Sequence, residues 1–288
     1  MPRWFICLVA LIAASTAAAQ TPAPSQPCLG DGAAAAPRFS VAVVPQFPAA
    51  ELHKAWAPLL ERVGKQAGHC YDLVLNKSIP EFEELVLKGI PDFAFMNPYH
   101  QVMAHARQGY RPLVADSTPL TGILVVRQDS SVKSMRELNG KTLAFPAPNA
   151  FAATLLMRAI LARDGIVIQP DYVKTHNNVY RTVVQGTHSA GGGVNNTLER
   201  EPDALRQQLR VLYETPGFSP HPLSAHPRVS AGVAGALQKA VLGLQSTPEG
   251  RTMLDDVQMP KPRTVTHQAD YQPLTDLKLE QFVVRSKP

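Results

Sequence analysis

Between residues 39 and 108 the chain alternates three apolar runs of strand length with three helical runs, joined by connections of only a few residues. Residues 39–44, 71–75 and 92–96 read as strands, and residues 49–67, 79–88 and 101–108 as helices. In the first helix Leu52, Trp56, Leu59, Leu60 and Val63 fall on one face, Pro80 opens the second and Gly89 closes it. A βαβαβα succession with short connections predicts an α/β fold, a parallel sheet with helices on its faces.

The second half repeats the theme with two interruptions. Strand-like residues 113–117 and 123–127 flank Pro119 and Gly122, which marks a crossing into a second lobe. Residues 172–175 and 188–194 read as strands, the latter rich in glycine, and residues 179–185 as a helix capped by Asn177-Asn178 and ended by Gly186. A helix over 197–208 and a strand over 210–215 precede Pro216-Gly217-Phe218, where the chain crosses back before helices at 231–244 and 247–256. This predicts a two-lobe clamshell with two hinge crossings: residues 38–117 and 216–288 in lobe 1, and 118–215 in lobe 2. About 270 residues exceed what a single core ordinarily serves. The ligand position of such a fold is the cleft between the carboxyl ends of both sheets.

Within lobe 2, residues 140–165 form a strand, a tight loop and a helix. Thr142-Leu143-Ala144-Phe145 ends at Pro146-Ala147-Pro148, and Asn149 has the chemistry of a helix N-cap. Ala152, Leu155, Leu156, Ala159 and Ile160 follow one helical face, and Gly165 stands at the C-terminal cap position. The first free N–H groups of that helix, on Ala150, Phe151 and Ala152, would face the space above the strand and could hold an anion.

Arg3, the apolar run 4–14 and the small residues ending at Ala19 predict a secretory signal peptide over 1–19, followed by a flexible segment over 20–37. An exported protein retains Cys28 and Cys70 once Cys7 has left with the signal, and these two are expected to form a disulfide. A formal charge of +5 with no basic run longer than two residues argues against a nucleic-acid partner and agrees with a small anionic ligand. No cofactor motif is present, and Gly191-Gly192-Gly193 has neither Walker nor dinucleotide spacing. His100 and His105 are five apart, not the four that puts two metal ligands on one helical face. With no nucleophile elbow, no HExxH and no paired carboxylates, no catalytic residue is assigned, and an exported hydrolase using His188 or His221 is the least favoured function.

Four blocks are more specific than the pattern: residues 92–100 (DFAFMNPYH), 122–127 (GILVVR), 140–151 (GKTLAFPAPNAF) and 221–223 (HPL). In this order and spacing they resemble the phosphate/phosphite/phosphonate ABC-transporter substrate-binding family, over about residues 39–254. The resemblance implies a periplasmic type II-like binding-protein clamshell, monomeric, that closes on a small oxyanion and delivers it to an ABC permease. It also implies a ligand set of Gln46 and Phe47 after the first strand, Tyr99 with His100 in the Asn-Pro-Tyr-His block, and Asn149, Ala150 and Phe151 in the oxyanion loop. Two positions depart from the family pattern. The loop at 149–151 lacks the family's hydroxyls, so backbone N–H groups would carry more of the binding. No acidic residue stands at or next to Ser189, so an amino group on the ligand would lack that acceptor. The residues themselves add Arg181 as a bidentate donor and His188 as a donor beside the glycine run. A periplasmic sensor of the same fold, docking its closed form on a signalling partner, is the alternative.

Overall fold

The structure, a computed structural model, describes residue 1, residues 28–33 and residues 35–284. The expected signal peptide over 1–19 therefore lies outside the described residues, Met1 excepted, as do residues 20–27 of the segment that follows it.

In chain order the first half contains β1 (Leu29–Gly30), β2 (Arg38–Val43), α1 (Ala49–Ala67), β3 (Cys70–Leu75), α2 (Ile79–Leu87), β4 (Phe93–Phe95), α3 (Pro98–Gln108) and β5 (Arg111–Asp116). The middle contains β6 (Gly122–Arg127), β7 (Thr142–Phe145), a π-helical turn (Phe151–Leu155), α4 (Leu156–Arg163), β8 (Gln169–Tyr172), α5 (His176–Val184) and β9 (Ala190–Val194). It ends with α6 (Asn195–Glu199), α7 (Asp203–Arg206) and β10 (Leu209–Glu214). The last part contains β11 (Pro222–Ala225), α8 (Ala231–Gly243), α9 (Pro248–Asp256), β12 (Pro262–Thr264) and 3₁₀ turns at Gln272–Leu277 and Leu279–Phe282.

These strands form two sheets, a seven-stranded one in the order β1-β3-β2-β4-β11-β5-β12 and a five-stranded one in the order β10-β6-β9-β7-β8. The α/β class with two sheets is as the sequence predicts, but each sheet is mixed. β2 runs parallel to β3 and β4, whereas β11 is antiparallel to β4 and β5. In the smaller sheet β7 is parallel to β8 and β9, while β6 is antiparallel to β9 and β10. The chain leaves the larger sheet after β5 and returns to it at β11. The two crossings lie side by side, because Leu120 and Phe218 exchange backbone hydrogen bonds, each of 2.9 Å.

The seven-stranded sheet is held by α1, whose buried face carries the expected Leu52, Trp56, Leu59, Leu60 and Val63. Burying such a stripe stabilises by roughly 1.5–3 kcal/mol per large side chain. Cys28 and Cys70 form a disulfide, with Cα atoms 5.4 Å apart, that ties the segment before β1 to the start of β3.

Several boundaries differ from expectation for local reasons. The strand expected at 172–175 lies at Gln169–Tyr172, on the sheet edge, where the missing N–H of Pro170 is tolerated. Helix α5 begins at His176 and not at 179, because the Thr175 side chain, not Asn177-Asn178, caps it by accepting the N–H of Asn178. The helix expected over 197–208 is split into α6 and α7, with Pro202 as the N-cap of the second. The unexpected strands β1, β11 and β12 have two, four and three residues, too short to show an alternating pattern.

Candidate functional site

The loop after β7 does not form the N-cap its sequence suggests. Ala150 occupies the cap position with no side-chain hydrogen bond, and its carbonyl accepts from both Thr154 (2.9 Å) and Leu155 (3.1 Å). The second bond spans five residues and opens the first turn into a π-helix. The N–H groups of Phe151, Ala152 and Ala153 precede the first helical bond and point out of the turn's start. Glycines bring this turn onto the sheet. A Cβ on Gly192 would lie 2.1 Å from the carbonyl oxygen of Ala153, and one on Gly122 would lie 2.5 Å from that of Ala152. The glycine run of β9 is therefore a packing surface for the turn.

Residues Ala150 to Ala153 line a cavity between the two sheets together with Gln46, Asn97, His176 and His221. Its volume is about 10 Å³, room for a water-sized body. Asn97 caps α3 by accepting the His100 N–H at 2.7 Å. His176 opens α5, and its Nδ1 lies 3.3 Å from Thr197 Oγ1, which is 2.7 Å from the Tyr180 hydroxyl. Burial pushes the His176 imidazole down to about 3. Burial, then His176 and His100, push His221 down to about 3 as well. Both rings are therefore neutral near pH 7, and each offers one N–H in a site with little water.

Gln46 lines this cavity, and its backbone carbonyl accepts the His176 N–H at 3.4 Å across the seam between the sheets. Phe47 does not line this cavity; it lines a second, rim cavity with Trp56 and Arg200, whose guanidinium lies 5.6 Å above its ring. Ala150 and Phe151 line the first cavity, but the Asn149 side chain is engaged elsewhere. Its Nδ2 donates to both oxygens of Glu83 (2.9 Å each) and to the Val284 carbonyl (2.8 Å), and its Oδ1 accepts the Val284 N–H at 2.9 Å. His100 completes this cluster: its Nε2 lies 3.1 Å from Glu83 Oε2. Asn97 Nδ2 donates to the Asn149 carbonyl at 3.2 Å.

Three further residues named from the sequence also lie away from this cavity. Tyr99 is buried against a larger cavity of about 570 Å³ that Glu83, Met103, Glu280 and Val283 also line. Burial, with Glu280 and Glu83 nearby, pushes its phenol up to about 12. His188 pairs through Nε2 with Asp171 Oδ2 of the edge strand β8 at 2.9 Å. Arg181 is exposed on α5, where its charge offsets part of the upward push that burial gives the Glu201 carboxyl.

The model of the phosphonate periplasmic substrate-binding proteins of ABC transporters matches residues 41–271. The chain belongs to that family. A binding-protein component of an ABC phosphonate transporter from Pseudomonas aeruginosa superposes with a TM-score of 0.75 at 15% identity, over 84% of this chain and 86% of that one. PhnD1 from Prochlorococcus marinus in complex with methylphosphonate gives 0.76 at 14% identity, over 86% and 99%. XAC2383 from Xanthomonas citri bound to chloride gives 0.69 at 16% identity, over 85% and 98%. At such identities the likeness is one of fold, the type II-like periplasmic binding fold. No curated protein matches the chain in sequence.

The cavity between the two sheets is lined by three polar residues that the ligand set expected from the sequence leaves out: Asn97, His176 and His221. A signal existed for the first two. Asn97 precedes Pro98 as an N-cap does, and His176 follows Thr175 at the start of an amphipathic run. His221 has no such local mark, because only the antiparallel insertion of β11 between β4 and β5 carries it to the cleft. Glu83 was hidden for the opposite reason: in a helix that also carries Glu81 and Glu84 it reads as one more solvated carboxylate.

Proposed function

We propose that this protein captures a small phosphorus oxyanion, a phosphonate or one of its relatives phosphate and phosphite, between its two lobes in the periplasm and delivers it to an ABC permease. The lobes are residues 38–117 with 216–288, and residues 118–215. The observation that carries this reading is that Phe151, Ala152 and Ala153, whose N–H groups precede the first helical bond, line one cavity together with two neutral histidines, His176 and His221. Backbone donors at a helix start, aided by neutral N–H groups, suit an oxyanion and supply what the missing loop hydroxyls do not. Gln46 and Asn97 add polar contacts from the opposite lobe, and no group in the set is arranged as nucleophile and base. The protein therefore acts by binding and closure. A cavity of about 10 Å³ is too small for a phosphonate, so entry requires the lobes to part.

The test is a thermal-shift series with methylphosphonate, phosphate, phosphite and sulfate. Ligand at 100 times its dissociation constant should stabilise by about 2.7 kcal/mol. A shift with phosphorus oxyanions that is lost in His176→Ala supports the reading, and no shift with any of the four removes it. The seam is also bridged by protein groups alone, as between Asn196 Nδ2 and Gln258 Oε1 at 2.6 Å. That favours a second reading in which the closed form itself docks on a signalling partner, supported if oxyanions bind nowhere and the protein is retained by a membrane receptor domain.

A further inference from the structure

We infer that Glu83 is the closure catch of this protein, a positioning residue whose buried carboxylate takes hold of Asn149 when the lobes meet and so sets the oxyanion loop over the cleft. The inference rests on the interlobe reading given above and names the control of that same site.

The hydrogen bonds form a closed ring. Asn97 Nδ2 donates to the Asn149 carbonyl, Asn149 Nδ2 donates to Glu83, His100 Nε2 donates to Glu83, and the His100 N–H donates to Asn97 Oδ1. Three members, Glu83 on α2 with Asn97 and His100 at the start of α3, belong to the side of the seven-stranded sheet. Only Asn149 follows a strand of the five-stranded sheet. Parting the lobes therefore breaks the three bonds that Asn97 and Glu83 make with Asn149 and leaves the two between His100 and its neighbours intact. The carboxylate is oriented before Asn149 arrives, which is the condition for a catch as opposed to a contact that assembles on closure.

The ring is dry. Glu83 is 7% exposed, His100 1%, Asn97 4% and Asn149 5%. A carboxylate in such surroundings needs all its acceptor positions filled, and Asn149 supplies two of the three bonds Glu83 receives. The other edge of the Asn149 amide is taken by the backbone of Val284, so the side chain has one orientation. Asn149 is followed directly by Ala150, whose carbonyl closes the π turn. Fixing Asn149 thus fixes the point from which the Phe151, Ala152 and Ala153 N–H groups are aimed.

The experiment measures lobe separation and affinity on the full mature chain. Spin labels at Val167→Cys and Lys239→Cys, both exposed and on opposite lobes, report the interlobe distance by pulsed electron paramagnetic resonance, with the native disulfide kept. Methylphosphonate is the binding probe. Glu83→Ala is expected to shift the ligand-free distance distribution toward separated lobes and to weaken methylphosphonate binding about 10- to 100-fold, the scale of a lost charge-assisted hydrogen bond. Glu83→Gln, which keeps an acceptor for Asn149, should fall between it and the native protein. Asn149→Ala breaks the same bond from the other lobe and serves if Glu83→Ala does not fold. The double variant should lose no more than the larger single loss. Unchanged distances and unchanged affinity in both single variants would overturn the inference. If the native protein binds no phosphorus oxyanion but the distances still shift, the catch stands and the ligand reading falls.

Discussion

The carbonyl oxygen of Ala153 occupies the place where Gly192 would carry a side chain, 2.1 Å from an ideal Cβ on that glycine. One strand of the smaller sheet thereby fixes the depth of the turn that faces the cleft. The neighbouring Cβ of Gly193 would meet the Tyr180 hydroxyl at 2.3 Å, so the run of three glycines packs against α5 as well as the π turn.

Gly192→Ala forces backbone apart from backbone, with no flexible side-chain end to yield. The expected cost is about 1–3 kcal/mol of stability, the range for an overpacked core. The displaced turn should also weaken methylphosphonate binding about tenfold or more. Urea unfolding and calorimetric titration of the variant check both. A neutral outcome would mean that β9 and the π turn move together without strain.

Acid stability follows from the two cleft histidines. In the folded protein burial holds His176 and His221 near 3, below the ordinary value of about 6.5 in an unfolded chain. Between those values the unfolded chain binds protons that the folded one does not, so stability falls as the pH drops from about 6.5 toward 3. The slope is about 1.4 kcal/mol per pH unit for each histidine. Urea midpoints measured from pH 7 to pH 4 should fall steeply in the native protein and about half as steeply in His221→Gln. An equal slope in the two proteins would mean that His221 is solvated in solution.

The Cys28–Cys70 bridge closes a loop with a sequence separation of 42. Chain-entropy reasoning gives about 4 kcal/mol of stabilisation. Reduction, or Cys28→Ser with Cys70→Ser, should lower the unfolding free energy obtained from urea titration by that amount and leave oxyanion affinity unchanged, because the bridge joins the segment before β1 to the start of β3, away from the cavity-lining residues. Loss of binding upon reduction would place β1 in mechanical contact with the closing motion.

The sheets were legible in the sequence because β2, β3, β6 and β7 are apolar runs with Pro or Gly near their ends. The cleft was less so. Gln46, Ala150 and Phe151 sit where strand ends and turn chemistry put them, but His221 arrives by an antiparallel pairing of four residues that no periodicity announces. Asn149 looked like a cap because Asn before an apolar helix usually is one. A buried carboxylate 66 positions earlier in the chain takes its amide, and the helix starts as a π turn without it. Local propensity yields here to a tertiary bond, and Glu83 gives no local sign that it is the partner.

Arg200 offers the last test, because it crosses the seam twice. Its guanidinium lies over Phe47 at 5.6 Å, and its Nη1 donates to the Asp255 carbonyl at 2.8 Å. Phe47 and Asp255 are on the side of the larger sheet, Arg200 on that of the smaller. An exposed cation–π contact and a hydrogen bond at the rim are worth about 1–2 kcal/mol together. Arg200→Ala should therefore weaken methylphosphonate binding about 5- to 30-fold by hastening reopening. Trp56 reports the motion without a label: it is buried against Phe95 at 4.9 Å and lines the same rim cavity as Phe47 and Arg200. Its emission should change on mixing with methylphosphonate, and on dilution the signal should reverse faster in the Arg200 variant than in the native protein. Equal dissociation rates in the two proteins would assign the hold on the closed state to the Glu83–Asn149 side of the seam alone.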